Sequence, residues 1–173
     1  MTVSTNQPWP FLAFLTIILI GRGLDVLSTW IATPRLILEA NPIARKLGWS
    51  GILLLNITII WWFAHYAVPA LALTITSCLV AMRNFQVAWI MQSVSEETYR
   101  VRHDECIKNA SIYLFLGCLA GQVLIPTALG VGLLYLNPYG WLPEGCAMGL
   151  ICYALAIGIH TSLDFYKTRI QKS

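Results

Sequence analysis

Five apolar stretches, each long enough to cross a bilayer, fix what this chain can become. A bilayer core about 30 Å thick needs roughly 20 residues of helix. Such stretches fall at Phe11–Ala32, Ser50–Ala67, Val68–Met91, Ala110–Leu136 and Cys146–Tyr166. In lipid an unpaired backbone N–H or C=O finds no water, so each stretch must be a helix. Composition agrees. Of 173 residues, 57% are hydrophobic and 11% charged, against soluble averages of roughly 45–50% and 25%. A soluble fold of this size cannot hide that much apolar surface. The expected fold is an all-α membrane protein, with residues 1–173 forming a single five-helix transmembrane bundle.

Basic residues set the expected orientation. Arg35, Arg45 and Lys46 lie between the first two spans, Arg100, Arg102 and Lys108 between the third and fourth, and Lys167, Arg169 and Lys172 in the tail. The N-terminus, the Val68-Pro69 junction and the Asn137–Gly145 loop carry none. Basic residues on alternate connections predict an N-terminus outside and a C-terminus in the cytoplasm. Trp9, Trp61, Trp62, Tyr66, Tyr139 and Trp141 then mark the outer surface, and Trp49, Trp89 and Tyr166 the inner one. In the first inner loop, Asn41-Pro42 reads as the start of a short helix over Pro42–Leu47 and Gly48 as its stop. With Leu36, Ile37 and Leu38 before it, that loop is expected to lie on the membrane surface. The polar stretch Gln92–Asn109 reads as an extension of the helices on either side.

Several functions are excluded or unsupported. No basic run interleaved with aromatics points to nucleic acid. Cys78, Cys106, Cys118, Cys146 and Cys152 have no metal-binding spacing, and most fall inside apolar stretches, where a cysteine reads as a small hydrophobe. The first ten residues hold no Lys or Arg, which argues against a cleavable signal peptide. No phosphate-cradling glycine loop, H-E-x-x-H motif or Ser-His-Asp arrangement is present. No cofactor is named by any motif.

Chemistry is concentrated in the charges that lie within spans: Arg22 and Asp25, Arg83, and His160 with Asp164. Such residues are costly in lipid and face a bundle interior or a partner. Asp25, Arg83 and His160 each stand 14 or 15 residues from the outer start of their helix, about 21–22 Å down. Asn56, and Gly117 with Cys118, reach the same level on the returning helices, and Asn84 and Gln86 lie beside it. Arg22, Asp25, Ser28 and Thr29 share one helical face by their spacing, as do His160 and Asp164. One reading makes this layer an ion pair for packing, Asp25 with Arg22 or Arg83. Another makes it a site for a cation, proton or small polar solute. A narrower version is a metal site on Asp25, His160 and Asp164, as a metal-dependent intramembrane hydrolase would need.

Weaker signals remain. Gly117-x-x-x-Gly121 permits close helix approach, and Pro126 with Gly130 and Gly132 marks a kink. His65 reads as an interfacial polar residue and Glu144 as a solvated loop charge.

The run Asp25-Val-Leu-Ser28-Thr29, followed by Glu39-Ala40-Asn41-Pro42, resembles an uncharacterised family of small prokaryotic multipass membrane proteins. Their first helix carries D-x-x-[ST]-T, and E-x-N-P follows. The likeness covers residues 21–49. It implies an inner (cell) membrane and supplies no reaction. Arg22 beside Asp25 departs from the pattern and favours an internal ion pair. Glu39 could join the polar layer from below, or could be a charge favoured by the dipole of the Pro42 helix.

The expected role is therefore binding or translocation of an ion or small polar solute. Asp25, Arg83 and His160 are central, with Asn56, Ser28, Thr29, Glu39 and Asp164 in support. The alternative is a non-enzymatic subunit or scaffold of a larger membrane complex. Five spans without inverted repeats argue against a complete monomeric transporter. A homo-oligomer or other membrane subunits would relieve that objection.

Overall fold

A computed structural model describes residues 8–37, 42–136 and 139–169, with side chains described for 11–37, 45–136 and 139–169. The described residues form six helices: α1 Pro8–Ala32, α2 Pro42–Phe63, α3 Ala67–Val94, α4 Glu96–Asn109, α5 Ile112–Leu136 and α6 Trp141–Arg169. All but α4 are long and apolar enough to cross a bilayer, so the chain is built as an integral multipass membrane protein.

Helix α3 is the centre. It packs on α1 along one side and on α6 along the other; α5 lies against the far side of α6, and α2 leans more loosely on α1. The α3–α6 approach depends on glycine. A Cβ at Gly145 would stand 2.8 Å from Leu71 Cβ, and one at Gly149 2.8 Å from Ile75 Cβ and 2.9 Å from the Ala72 carbonyl. Gly117 and Gly121, expected to seat a close helix, have no such neighbour within 4 Å. Their face of α5 is open, and Gly130 makes the close contact to α6 instead.

Pro69 falls in the first turn of a helix as expected, but two helix starts differ from expectation. Pro69 is the third residue of α3, whose N-cap is Tyr66. A missing N–H costs nothing among the first four donors of a helix, so the chain turns earlier, at Ala64–Tyr66, with Tyr66 N bonding the Phe63 carbonyl. Likewise α6 starts at Trp141, not Cys146, with Pro143 in its first turn. Glu144 is thus a helical first-turn residue, where a carboxylate complements the helix dipole, and not a loop charge. Gly48 stops the helix begun at Pro42, adopting φ 65° and ψ −172°, a conformation that favours glycine. Asn41 lies outside the described residues.

The stretch expected to extend its neighbours is a separate helix. Ser95 turns to φ 69° and its Oγ accepts from Thr98 N, capping α4. Glu96 and Glu97 occupy the first turn of α4 and Lys108 the last, each matching the dipole. This helix crosses one end of the bundle. Arg35 bonds Glu97 at 3.0 Å, Arg100 donates to the Ile37 carbonyl, and Arg169 donates to the Ala110 carbonyl. Arg35, Arg100 and Arg169 therefore gather at that end, while Phe11, Trp61 and His65, and Phe14 with Trp141, meet in ring contacts at the other.

Candidate intramembrane site

Arg22 stands near the middle of α1, where a guanidinium can reach little but neighbouring helices. Its Nε donates to Asn56 Oδ1 at 2.6 Å, and its Nη1 donates to Asp25 Oδ2 at 2.8 Å and to Ser77 Oγ at 3.1 Å. Three helices thus meet at one cation. Asn56 and Ser77 are buried at 6% and 1% exposure. Asn56 closes its other half locally, Nδ2 donating to the Ile52 carbonyl. Arg22 and Asp25 keep 19% and 17% of their side-chain surface, so the pair is not sealed.

The polar contacts continue down the α1–α3 interface as a seam. Ser28, fully buried, donates to the Asp25 carbonyl and accepts from Asn84 Nδ2 at 3.2 Å, which also reaches Thr29 Oγ1 at 3.2 Å. Four residues on, Thr33 Oγ1 donates to Glu96 Oε2 at 2.8 Å, and the Arg35 backbone N–H donates to Oε1 at 3.1 Å. Glu96 is 9% exposed, its carboxylate satisfied by these donors at the α4 N-terminus. The D-x-x-S-T run thus supplies one wall of the seam: Asp25 at its top, Ser28 and Thr29 below.

The anticipated site residues divide. Asp25, Asn56, Ser28 and Thr29 belong to the seam or the cluster above it. Arg83 and His160 are exposed and stand apart from it. Asp164 bonds His103 of α4 at 3.0 Å rather than His160. Glu39 lies outside the described residues. With α6 starting at Trp141, His160 stands 19 residues beyond that start against 16 for Arg83 beyond Ala67, so the count from Cys146 no longer puts them at one height, and depth in any case says nothing of direction. On α3 the buried positions include Ser77, Ala81 and Ala88, with Asn84 on the same face; Arg83 is one residue, about 100°, off that stripe. Among the described residues no three His, Cys, Asp or Glu side chains come together to hold a metal, so the donor set of the metal reading is not assembled.

Two members were missed. Ser77 is ten residues into α3 as Arg22 is eleven beyond Phe11, so a depth count applied to hydroxyls would have found it. Glu96 could not be found that way, because it lies in the polar stretch Gln92–Asn109, which reads as an extension of the flanking helices and outside the spans.

Beside the cluster, α1 and α2 part to leave a cleft of about 540 Å³. Arg22 and Asn56 line it, and Trp30 and Trp49 stand toward the basic end. Trp49 Nε1 is held by the Pro34 carbonyl at 2.9 Å. The chain matches no family model, no curated protein and no solved structure.

Proposed function

We propose that this chain is a membrane-embedded binding protein for a small polar group, with Arg22, Asp25, Asn56 and Ser77 forming the site. Ser28, Thr29 and Asn84 hold α1 in register beneath it. The observation that carries the reading is the partly open Arg22–Asp25 pair beside a cleft. A pair serving packing alone would be better closed. The gathering of basic residues at one end supports an orientation with that end, and the C-terminus, in the cytoplasm. The likeness of residues 21–49 to small prokaryotic multipass proteins supports an inner-membrane location.

One observation favours the alternative, a scaffold subunit: Arg22 Nε and Nη1 are fully engaged within the chain. Charge removal separates the two. Asp25→Asn leaves the guanidinium uncompensated, at a cost of roughly 3–5 kcal/mol for a buried pair. Arg22→Gln with Asp25→Asn removes both charges and should restore folded protein, read by thermal unfolding in detergent. If the cluster binds a ligand, this well-folded double variant still lacks the cellular phenotype of the wild type. Full rescue of that phenotype by the charge-free pair sinks the binding reading.

A further inference from the structure

We infer that the ligand of this site is a neutral, bilayer-dissolved molecule bearing a hydrogen-bond-accepting carbonyl oxygen, which enters from the lipid between α1 and α2. The inference rests on the binding role proposed above and names the class of ligand.

The cleft decides the route. Its volume of about 540 Å³ lies within the range of small-molecule sites, roughly 300–1,000 Å³. Leu27, Leu53 and Ile57 form its walls and are themselves among the exposed residues of their helices. On a transmembrane helix, that exposure is to acyl chains. A water-soluble ion would have to cross apolar surface to reach Arg22, whereas a molecule already in the bilayer need only move sideways.

The free donor decides the polar group. Arg22 Nη2 takes part in none of the bonds that engage Nε and Nη1. No buried side-chain nitrogen or oxygen is left unpaired among the described residues, so Nη2 is not sealed within the bundle, and Arg22 is one of the residues lining the cleft. A guanidinium nitrogen only donates, so the ligand must accept. Asn56 commits Oδ1 to Arg22 and one Nδ2 hydrogen to Ile52; its second Nδ2 hydrogen is again a donor, so it too calls for an acceptor. The Trp49 indole N–H is likewise spent on Pro34, leaving aromatic surface at that end of the cleft.

Charge decides neutrality. Asp25 stands 2.8 Å from the guanidinium, so an anion would meet a compensated cation and a nearby carboxylate after losing its own hydration. A cation would meet the guanidinium. A carbonyl oxygen accepts one hydrogen bond and brings no charge to desolvate. Quinones dissolved in the bilayer and the ester carbonyls of the lipids themselves both have this chemistry.

The test uses the full chain in nanodiscs of ether-linked phospholipids, which carry no ester carbonyl. Decylubiquinone should raise the unfolding temperature saturably, and dodecane, of similar apolar character but without an acceptor, should not. Replacing ether by ester lipids and finding the quinone effect gone, with higher starting stability, would identify the lipid ester as the occupant. Gly23 lines the cleft and has no atom within 4 Å of a Cβ position, so Gly23→Phe fills the cleft while leaving the Arg22 cluster intact. It should weaken quinone binding at least tenfold. Leu53→Trp blocks the same space from α2 and should act alike if Gly23→Phe folds poorly. Undiminished binding in both folded variants overturns the cleft. Stabilisation by laurate or an inorganic ion, with none by quinone or ester lipid, overturns the neutral class and leaves the binding role standing. Stabilisation by none of the probes overturns both.

Discussion

The α1–α3 and α5–α6 interfaces solve the same problem by different means. Lipid chains are as apolar as leucine, so helices in a bilayer gain no hydrophobic drive to associate and depend on close packing and hydrogen bonds. Between α5 and α6 close packing does it. A Cβ at Gly130 would sit 2.9 Å from the Ala147 carbonyl and 2.9 Å from Ile151 Cγ1, and Phe115 stacks on Phe165 at 3.9 Å. Between α1 and α3 there is a close approach too, Gly21 against Thr74, but a seam of hydrogen bonds and an ion pair are added to it. Burying charge is at best neutral for stability compared with apolar side chains of similar shape. An interface that small residues can hold does not need a guanidinium. That difference is the reason for reading the α1–α3 region as a site and the α5–α6 region as scaffold.

After the Asp25→Asn change, the largest effect expected from breaking this contrast is at a scaffold glycine. Gly130→Ala drives a methyl group against the Ala147 carbonyl and Ile151, and overpacking of this kind costs about 1–3 kcal/mol. Gly121→Ala, facing open space, is the matched control and should leave stability nearly unchanged. Equal unfolding temperatures in detergent for the two variants would mean that close packing is not what holds α5 to α6.

The seam predicts a smaller loss. Asn84→Ala removes two bonds of 3.2 Å, to Ser28 and Thr29. Intramembrane hydrogen bonds average about 0.6 kcal/mol and reach about 1.7, so the expected cost is about 1 kcal/mol in unfolding measurements. A loss well above 2 kcal/mol would reverse the contrast, making the seam the main support of α1 against α3.

How much of this was legible in the sequence follows from what patterns encode. Span number and class depend on length and apolarity, which are linear properties, and the five spans were readable. The Arg22–Asp25 pair and the Ser28–Thr29 face were readable because neighbours on one helix are fixed by spacing. Arg83 and His160 were drawn into one layer because depth also follows from counting. Whether a side chain faces a neighbour depends on how each helix is rotated, and apolar spans with polar residues on several faces leave that rotation unmarked. The α1/α2 cleft was not legible at all, since it arises from how loosely α2 leans on α1.

The contrast extends to the basic end, where the same chemistry should contribute least. His103 Nε2 bonds Asp164 Oδ2 at 3.0 Å and joins α4 to α6, but the side chains are 45% and 48% exposed. The bond to the carboxylate holds the His103 pKa above its ordinary 6.5, against the opposing effect of burial; Asp104 adds to the rise and Arg83 reduces it. A pKa raised on folding means that the protonated ring stabilises the fold. The contribution is complete below the unfolded-state value and is lost as pH rises through the folded-state value. Screening by water limits an exposed pair to about 0.2–1 kcal/mol. The wild type should therefore unfold at a slightly higher temperature near pH 6 than at about pH 8.5. His103→Gln should remove most of that difference, and about 1 M salt should shrink it in the wild type. A difference that persists undiminished in His103→Gln would assign the pH dependence to another group. One several times larger than an exposed pair can supply would mean that α4 closes the bundle more tightly than its solvent exposure indicates.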